Sequence, residues 1–158
     1  MKTVEILRRS ILFNDFIPEE LVLLEEICET VHFISGESVY NENTVADALY
    51  IIKYGTVGIW KNGAHGTEEE VCELSTFGHF GEKSFIDGKL HAQSVICREN
   101  TTLLKIYYKD LDKFLTVLGD QTELKFYKSI SQSLCNRIRQ MSENLSTLKE
   151  VKFRRHSA

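Results

Sequence analysis

The hydrophobic period of this chain changes near Val31 and again near Tyr108, and these two changes constrain the fold more than any single motif. Before the first, Val4, Leu7, Ile11 and Leu12 recur at helical spacing. The stretch "IPEELVLLEEICETV" then places Pro18 in a first helical turn, where its missing N–H costs nothing, and Glu19 and Glu20 at the positive end of the helix. Ile17 offers no side-chain oxygen as a cap, so the helix start is expected only to within a residue or two.

Between the two changes lie short β-rich runs: "VHFIS", "ESVY", "ALYIIKY", "TVGIW", "EVCEL", "QSVICRE" and "TTLLKIYY". Turn residues separate them, including Gly36, Asn41, Asn43, Gly55 and an Asn62-Gly63 hairpin signal. Many short strands with frequent turns predict a mainly antiparallel β barrel or double-sheet roll, jelly-roll-like in character, with flanking helices. After Tyr108 the helical period returns in "KDLDKFLTVL" and, past Gly119, in a long segment from Gln121 to about Glu150. There Leu134, Ile138, Met141, Leu145 and Leu148 follow at spacings of 4, 3, 4 and 3, one apolar seam on which two copies of the chain are expected to pair.

The expected organisation is an N-terminal helical segment over 1–30, a β roll over 31–107, C-terminal helices over 108–150 and a basic tail over 151–158. A length of 158 residues suits one packed unit, and 42% apolar residues with one proline argue against disorder. The net charge of −4 gives no general attraction to nucleic acid, and the last helix is claimed by its seam, so DNA binding is not expected. The tail "KEVKFRRHSA" is a local basic exception, expected as a solvated, frayed end. No apolar run reaches the roughly 18 residues of a membrane span, and Cys28, Cys72, Cys97 and Cys135 include no CxxC pair, which together suggest a cytoplasmic protein with reduced thiols.

The chemistry concentrates in "FGEKSFIDGKLHAQS", residues 80–94. Gly81 permits close backbone approach, Glu82 accepts hydrogen bonds from hydroxyls such as those of a ribose, and Ser84 adds an N–H and a hydroxyl at the start of a short helix opening near Glu82. Flanking it, "LFNDFIPEEL", "ISGESVYNENTVADALYIIKYGTVGIW" and "SVICRENTTLLKI" complete a pattern over Phe13 to Leu148. That pattern resembles the cyclic-nucleotide-binding domain family of protein kinase A regulatory subunits, cyclic-nucleotide-gated channels and catabolite-activator-type bacterial regulators.

The resemblance implies cAMP or cGMP as ligand, with Glu82 on the ribose 2′-hydroxyl and the N–H groups of Ser84 and Ala92 facing the cyclic phosphate. It also implies an arginine ten residues after Gly81, where this chain has His91. A guanidinium grips two phosphate oxygens and stays charged, whereas an imidazole offers one donor and is mostly neutral at pH 7. Asn43 replaces a turn glycine of the family, and the glycine preceding Phe-Gly-Glu is displaced to Gly78. Lys83 and Lys89 are the nearby cations that could compensate.

The reading is a non-enzymatic regulatory module with weakened or lost ordinary cyclic-nucleotide binding, needing no cofactor and acting through dimerisation or an unidentified protein partner. Its alternative is a working receptor for a cyclic nucleotide or other small anion, using His91 and nearby lysines. A more remote one is a cupin-like metal enzyme built on His32, His65, His79, His91 and Glu82, although no His-x-His pair supports it.

Overall fold

A computed structural model describes residues 1–157. Helices α1 (Thr3–Arg9) and α2 (Pro18–Glu25) lead into strands β1 (Cys28–Phe33), β2 (Ser38–Tyr40), β3 (Ala48–Tyr54), β4 (Val57–Asn62), β5 (Glu68–Leu74) and β6 (His79–Phe80). Helix α3 (Lys83–Asp87) interrupts the strands, which resume as β7 (Ser94–Cys97) and β8 (Thr101–Tyr107) before α4 (Tyr108–Leu118) and α5 (Asp120–Ser157). The result is an antiparallel β roll between helices, as the two changes of period predict.

The strands form two four-stranded sheets, ordered β1-β8-β3-β6 and β2-β7-β4-β5. Every neighbouring pair is antiparallel. Strand β3 carries the continuous apolar run "ALYII" because it is buried on both faces. Side chains alternate across a strand, so Ala48, Tyr50 and Ile52 enter a core between the sheets with Val57, Phe80, Val95 and Leu103. Leu49 and Ile51 point the other way and pack with Leu104, Ile106 and the apolar faces of α1, α2, α4 and α5.

Local chemistry sets the ends of the elements. Pro18 occupies the first turn of α2, and the N–H of Ile17, itself no cap, donates to Glu20 Oε2 at 2.9 Å. Glu20 also accepts from Thr122 Oγ1 at 2.7 Å and Lys125 Nζ at 2.9 Å, which ties α2 to the start of α5. The Asn62-Gly63 signal does mark a hairpin, but the connection runs over 63–67, closed by Gly63 N–H on the Thr67 carbonyl at 2.6 Å. Strand β1 opens at Cys28, inside the stretch read as helical, once Ile27 N–H has closed α2 on the Leu24 carbonyl at 3.1 Å.

Helix α5 passes Glu150 and continues through Ser157, so residues 151–157 are helical and exposed. Arg154, Arg155 and His156 fall in its last turn, where positive charge meets the negative end of the helix dipole. No helix among the described residues is long and apolar enough to cross a membrane. None of the four cysteines is bonded to another.

Candidate functional site

The cassette between β6 and β7 is held in place by backbone contacts before any side chain acts. Gly81 has φ +85°, and a Cβ there would lie 2.9 Å from the Ala48 carbonyl oxygen and 3.4 Å from Leu49 Cα. The turn therefore presses onto β3 at a distance only glycine allows. The Tyr108 hydroxyl donates to the Gly81 carbonyl. Farther on, His91 N–H donates to the Thr44 carbonyl at 2.9 Å, and Asn43 N–H to the His91 carbonyl at 2.8 Å. Asn43 takes the left-handed conformation expected of a glycine substitute, with φ +64°. On the approach to β6 the left-handed residue is Phe77, at φ +74°, rather than its neighbour Gly78.

Helix α3 begins after Glu82, which occupies its N-terminal boundary position. Phe85 anchors the helix by packing on Phe126 (ring centroids 5.8 Å apart), Tyr127 (6.4 Å) and Tyr108 (5.4 Å). Gly88, at φ +68°, ends it. The cassette thus rests directly on α5.

Gly81, Glu82, Ser84, His91 and Ala92, the residues singled out in the sequence, line one cavity. Its free volume is about 20 Å³, room for roughly one water. What fills the space is Arg137, which reaches in from α5. One guanidinium nitrogen donates to Glu82 Oε1 at 3.0 Å and another to the His79 carbonyl at 2.8 Å. Glu82 is 1% exposed, and its Oε2 has no hydrogen-bond partner. Behind it, His79 Nε2 lies 3.1 Å from Ser133 Oγ. Burial, opposed by the Glu82 charge and reinforced by Arg137, pushes the His79 pKa down to about 4, so this ring is neutral at pH 7.

His91 sits at another part of the cavity. Its ring lies flat on Tyr40, with centroids 3.5 Å apart and planes 5° from parallel. Burial also lowers its pKa, against a smaller opposing effect of the Asp47 carboxylate. Lys83 donates to Gln93 Oε1 at 3.2 Å, and Lys61 joins the Ala92 carbonyl at 3.0 Å to Glu42 Oε1 at 2.7 Å. Lys89 is exposed, its N–H turned back onto Asp87 Oδ1 at 3.0 Å.

Through Ile59, Lys83, Gln93 and Arg137 the cavity adjoins a cleft of about 370 Å³ between β4–β5 and α5. Val71, Cys72, Leu134, Ile138 and Met141 give this cleft apolar walls, and Gln140 and Asn144 add amides.

Sequence reasoning missed Arg137 and Tyr40 as parts of the site, and named His79 only in the metal-site alternative. Arg137 follows the buried Phe126, Ile130 and Ser133 along the inner stripe of α5, so a charge at the end of a buried stripe was the available signal. The histidines do not converge: His32 is on β1 bonded to Thr102 Oγ1 at 3.0 Å, and His65 is in the β4–β5 loop. Among the described residues no group of three or more His, Cys, Asp or Glu could hold a metal.

Comparison with known proteins fits this geometry. The family model for the cyclic nucleotide-binding domain matches residues 30–117, more than half of the chain. The CRP-like cAMP-activated global transcriptional regulator of Mycobacterium tuberculosis (strain ATCC 25618 / H37Rv) is 27% identical over 144 residues, 91% of this chain and 62% of that protein. Potassium channel KOR2 of Oryza sativa subsp. japonica is 30% identical over 125 residues, 71% of this chain and 17% of the channel. The chain therefore spans less than two thirds of either relative. A solved cyclic nucleotide-binding domain from Methylobacillus flagellatus KT shares the fold at a TM-score of 0.78 and 22% identity, covering 87% of this chain and 77% of that one. With the model match spanning the β roll, the cassette and the start of the C-terminal helices, the chain belongs to the cyclic nucleotide-binding domain family.

Proposed function

We propose that the chain is a regulatory module that performs no reaction of its own, has weakened or lost ordinary cAMP and cGMP binding, and acts through pairing of two copies along α5. The observation that carries the pocket reading is His91. It stands where the family resemblance calls for arginine, and it lies 5% exposed and flat against Tyr40. A ring held in that way offers at most one donor and, with its pKa lowered by burial, no charge at pH 7.5. Losing one side of a desolvated charge pair costs about 2 to 5 kcal/mol, or roughly 30-fold to several thousand-fold in affinity.

Pairing is supported by the outer face of α5. Ile138, Met141, Leu145 and Leu148 are 55–64% exposed and form a continuous apolar stripe along one helix. A second copy of the same helix repeats the same alternating spacing, which lets the two stripes interlock. Leu134, expected in this seam, instead packs partly buried against the core of its own chain.

Calorimetric titration with cAMP at pH 7.5, of the wild type and of His91→Arg, tests the pocket reading. The wild type should bind weakly, and the arginine should raise affinity at least tenfold. Tight binding by the wild type would end the proposal, and no gain in the variant would show divergence beyond residue 91.

A further inference from the structure

Pairing along α5 can run in either direction, and the charges at the two ends of the helix choose between them. The alternating spacing of the apolar stripe continues both ways along α5. Forward from Leu148, steps of 4 and 3 reach Lys152 and Arg155. Backward from Leu134, steps of 3, 4, 3 and 4 reach Ser131, Tyr127, Leu124 and Asp120. One face of the helix is therefore acidic at its start, apolar along its middle and basic at its end. Glu123 flanks this face at the start and Lys149 at the end.

Most of that face is open. Asp120, Ser131, Lys152 and Arg155 are exposed, and Leu124 is 68% exposed although Phe126 and Ile130 beside it are buried. Among the described residues, Asp120, Glu123, Lys149, Lys152 and Arg155 form no ion pair within their own chain, whereas Lys125 is already taken by Glu20. In a parallel pair Lys152 and Arg155 would meet their own copies, and so would Asp120, an arrangement that like charges oppose. Reversed, the face matches itself. Asp120 and His156 lie equally far from Ile138, so two helices crossing near Ile138 bring Lys152 and Arg155 of each copy to Asp120, Glu123 and Leu124 of the other. The lysine and arginine stems then cover Leu124 while their charged heads reach the carboxylates. In the same crossing, Leu134 of each helix falls between Met141 and Leu145 of the other.

We infer that two copies pair with their α5 helices antiparallel, the basic last turns of each lying on the acidic first turn of the other. The inference rests on the pairing proposed above and adds its direction. A two-fold axis near Ile138 makes the same end-to-end contact twice.

The test is a spin-label distance across the dimer of the full chain, with the exposed Cys72 and Cys135 replaced by serine and a label carried by Glu150→Cys. At about 1.5 Å of rise per residue, antiparallel helices crossing near Ile138 should hold the two labels about 40 Å apart, and parallel helices less than about 25 Å. The shorter distance in a dimer overturns this inference and leaves the pairing standing, whereas a monomeric wild type overturns both. Charge exchange gives a second readout. Lys152→Glu with Arg155→Glu should weaken association about tenfold by light scattering, and adding Asp120→Lys with Glu123→Lys should restore it to within a few-fold. A parallel pair keeps like charges opposed in every one of these variants, so no loss in the first, or no recovery in a folded second, also overturns the inference.

Discussion

Glu82 Oε2 is the only buried side-chain polar atom without a hydrogen-bond partner among the described residues, and the groups around it carry a measurable signature. His79, between Ser133 and Glu82, has its pKa pushed from the ordinary 6.5 down to about 4, chiefly by burial. Between those values the unfolded chain takes up a proton that the folded chain refuses. Its contribution to stability is whole above about pH 6.5 and is lost as pH falls toward 4, by about 2 to 3 kcal/mol over that window. Urea unfolding from pH 7.5 to 4.5 should show a steeper loss in the wild type than in His79→Gln. Equal slopes would remove the assignment. The residues of the cassette were legible in the sequence because Phe80, Gly81 and Glu82 stand together in a short motif. Arg137 was not, since it lies far along the chain and its role depends on which face of α5 turns inward.

Among elements, α5 divides its work by face and by length. Phe126, Ile130 and Ser133 face the roll and are buried, whereas Ile138, Met141, Leu145 and Leu148 are exposed. If two copies pair there, Met141→Glu with Leu145→Glu should convert a dimer at high micromolar concentration into a monomer by light scattering. The roll should keep its stability to within about 0.5 kcal/mol, as expected for surface substitutions. A wild-type monomer at that concentration would refute the pairing. The 4-3-4-3 spacing made this face visible in sequence. The retreat of Leu134 into the core was invisible, because spacing alone does not say where a helix leaves the body it packs on. Helix α3, by contrast, was expected to open near Glu82 from the Phe-Gly-Glu turn and does so, although only the structure shows Phe85 docking it onto Phe126 and Tyr127.

At the scale of the whole molecule, β3 belongs to two cores at once. Leu49 faces the helical layer and Ile52 the space between the sheets, both 0% exposed. Neither core can lose its part of β3 without disturbing the other, so the roll and its packed helices should unfold together. Leu49→Ala and Ile52→Ala should each destabilise by about 2 to 5 kcal/mol, with one transition followed by Trp60 fluorescence in both variants. Two separated transitions in either variant would show that the cores are independent. The switch from helical to alternating period revealed the layers. The double burial of β3 was less legible, because a run such as "ALYII" reads the same in a buried strand and in a short buried helix.

Arg137 and Ile138 are consecutive residues, one turned to the carboxylate of the cavity and the other to the exposed stripe. A message between pocket and partner would therefore have to cross the width of one helix and not the length of a protein. With so short a path, even a slight roll of α5 about its axis moves both addresses together. By reciprocity, whatever pairing does to the grip on a ligand, the ligand does in equal measure to pairing.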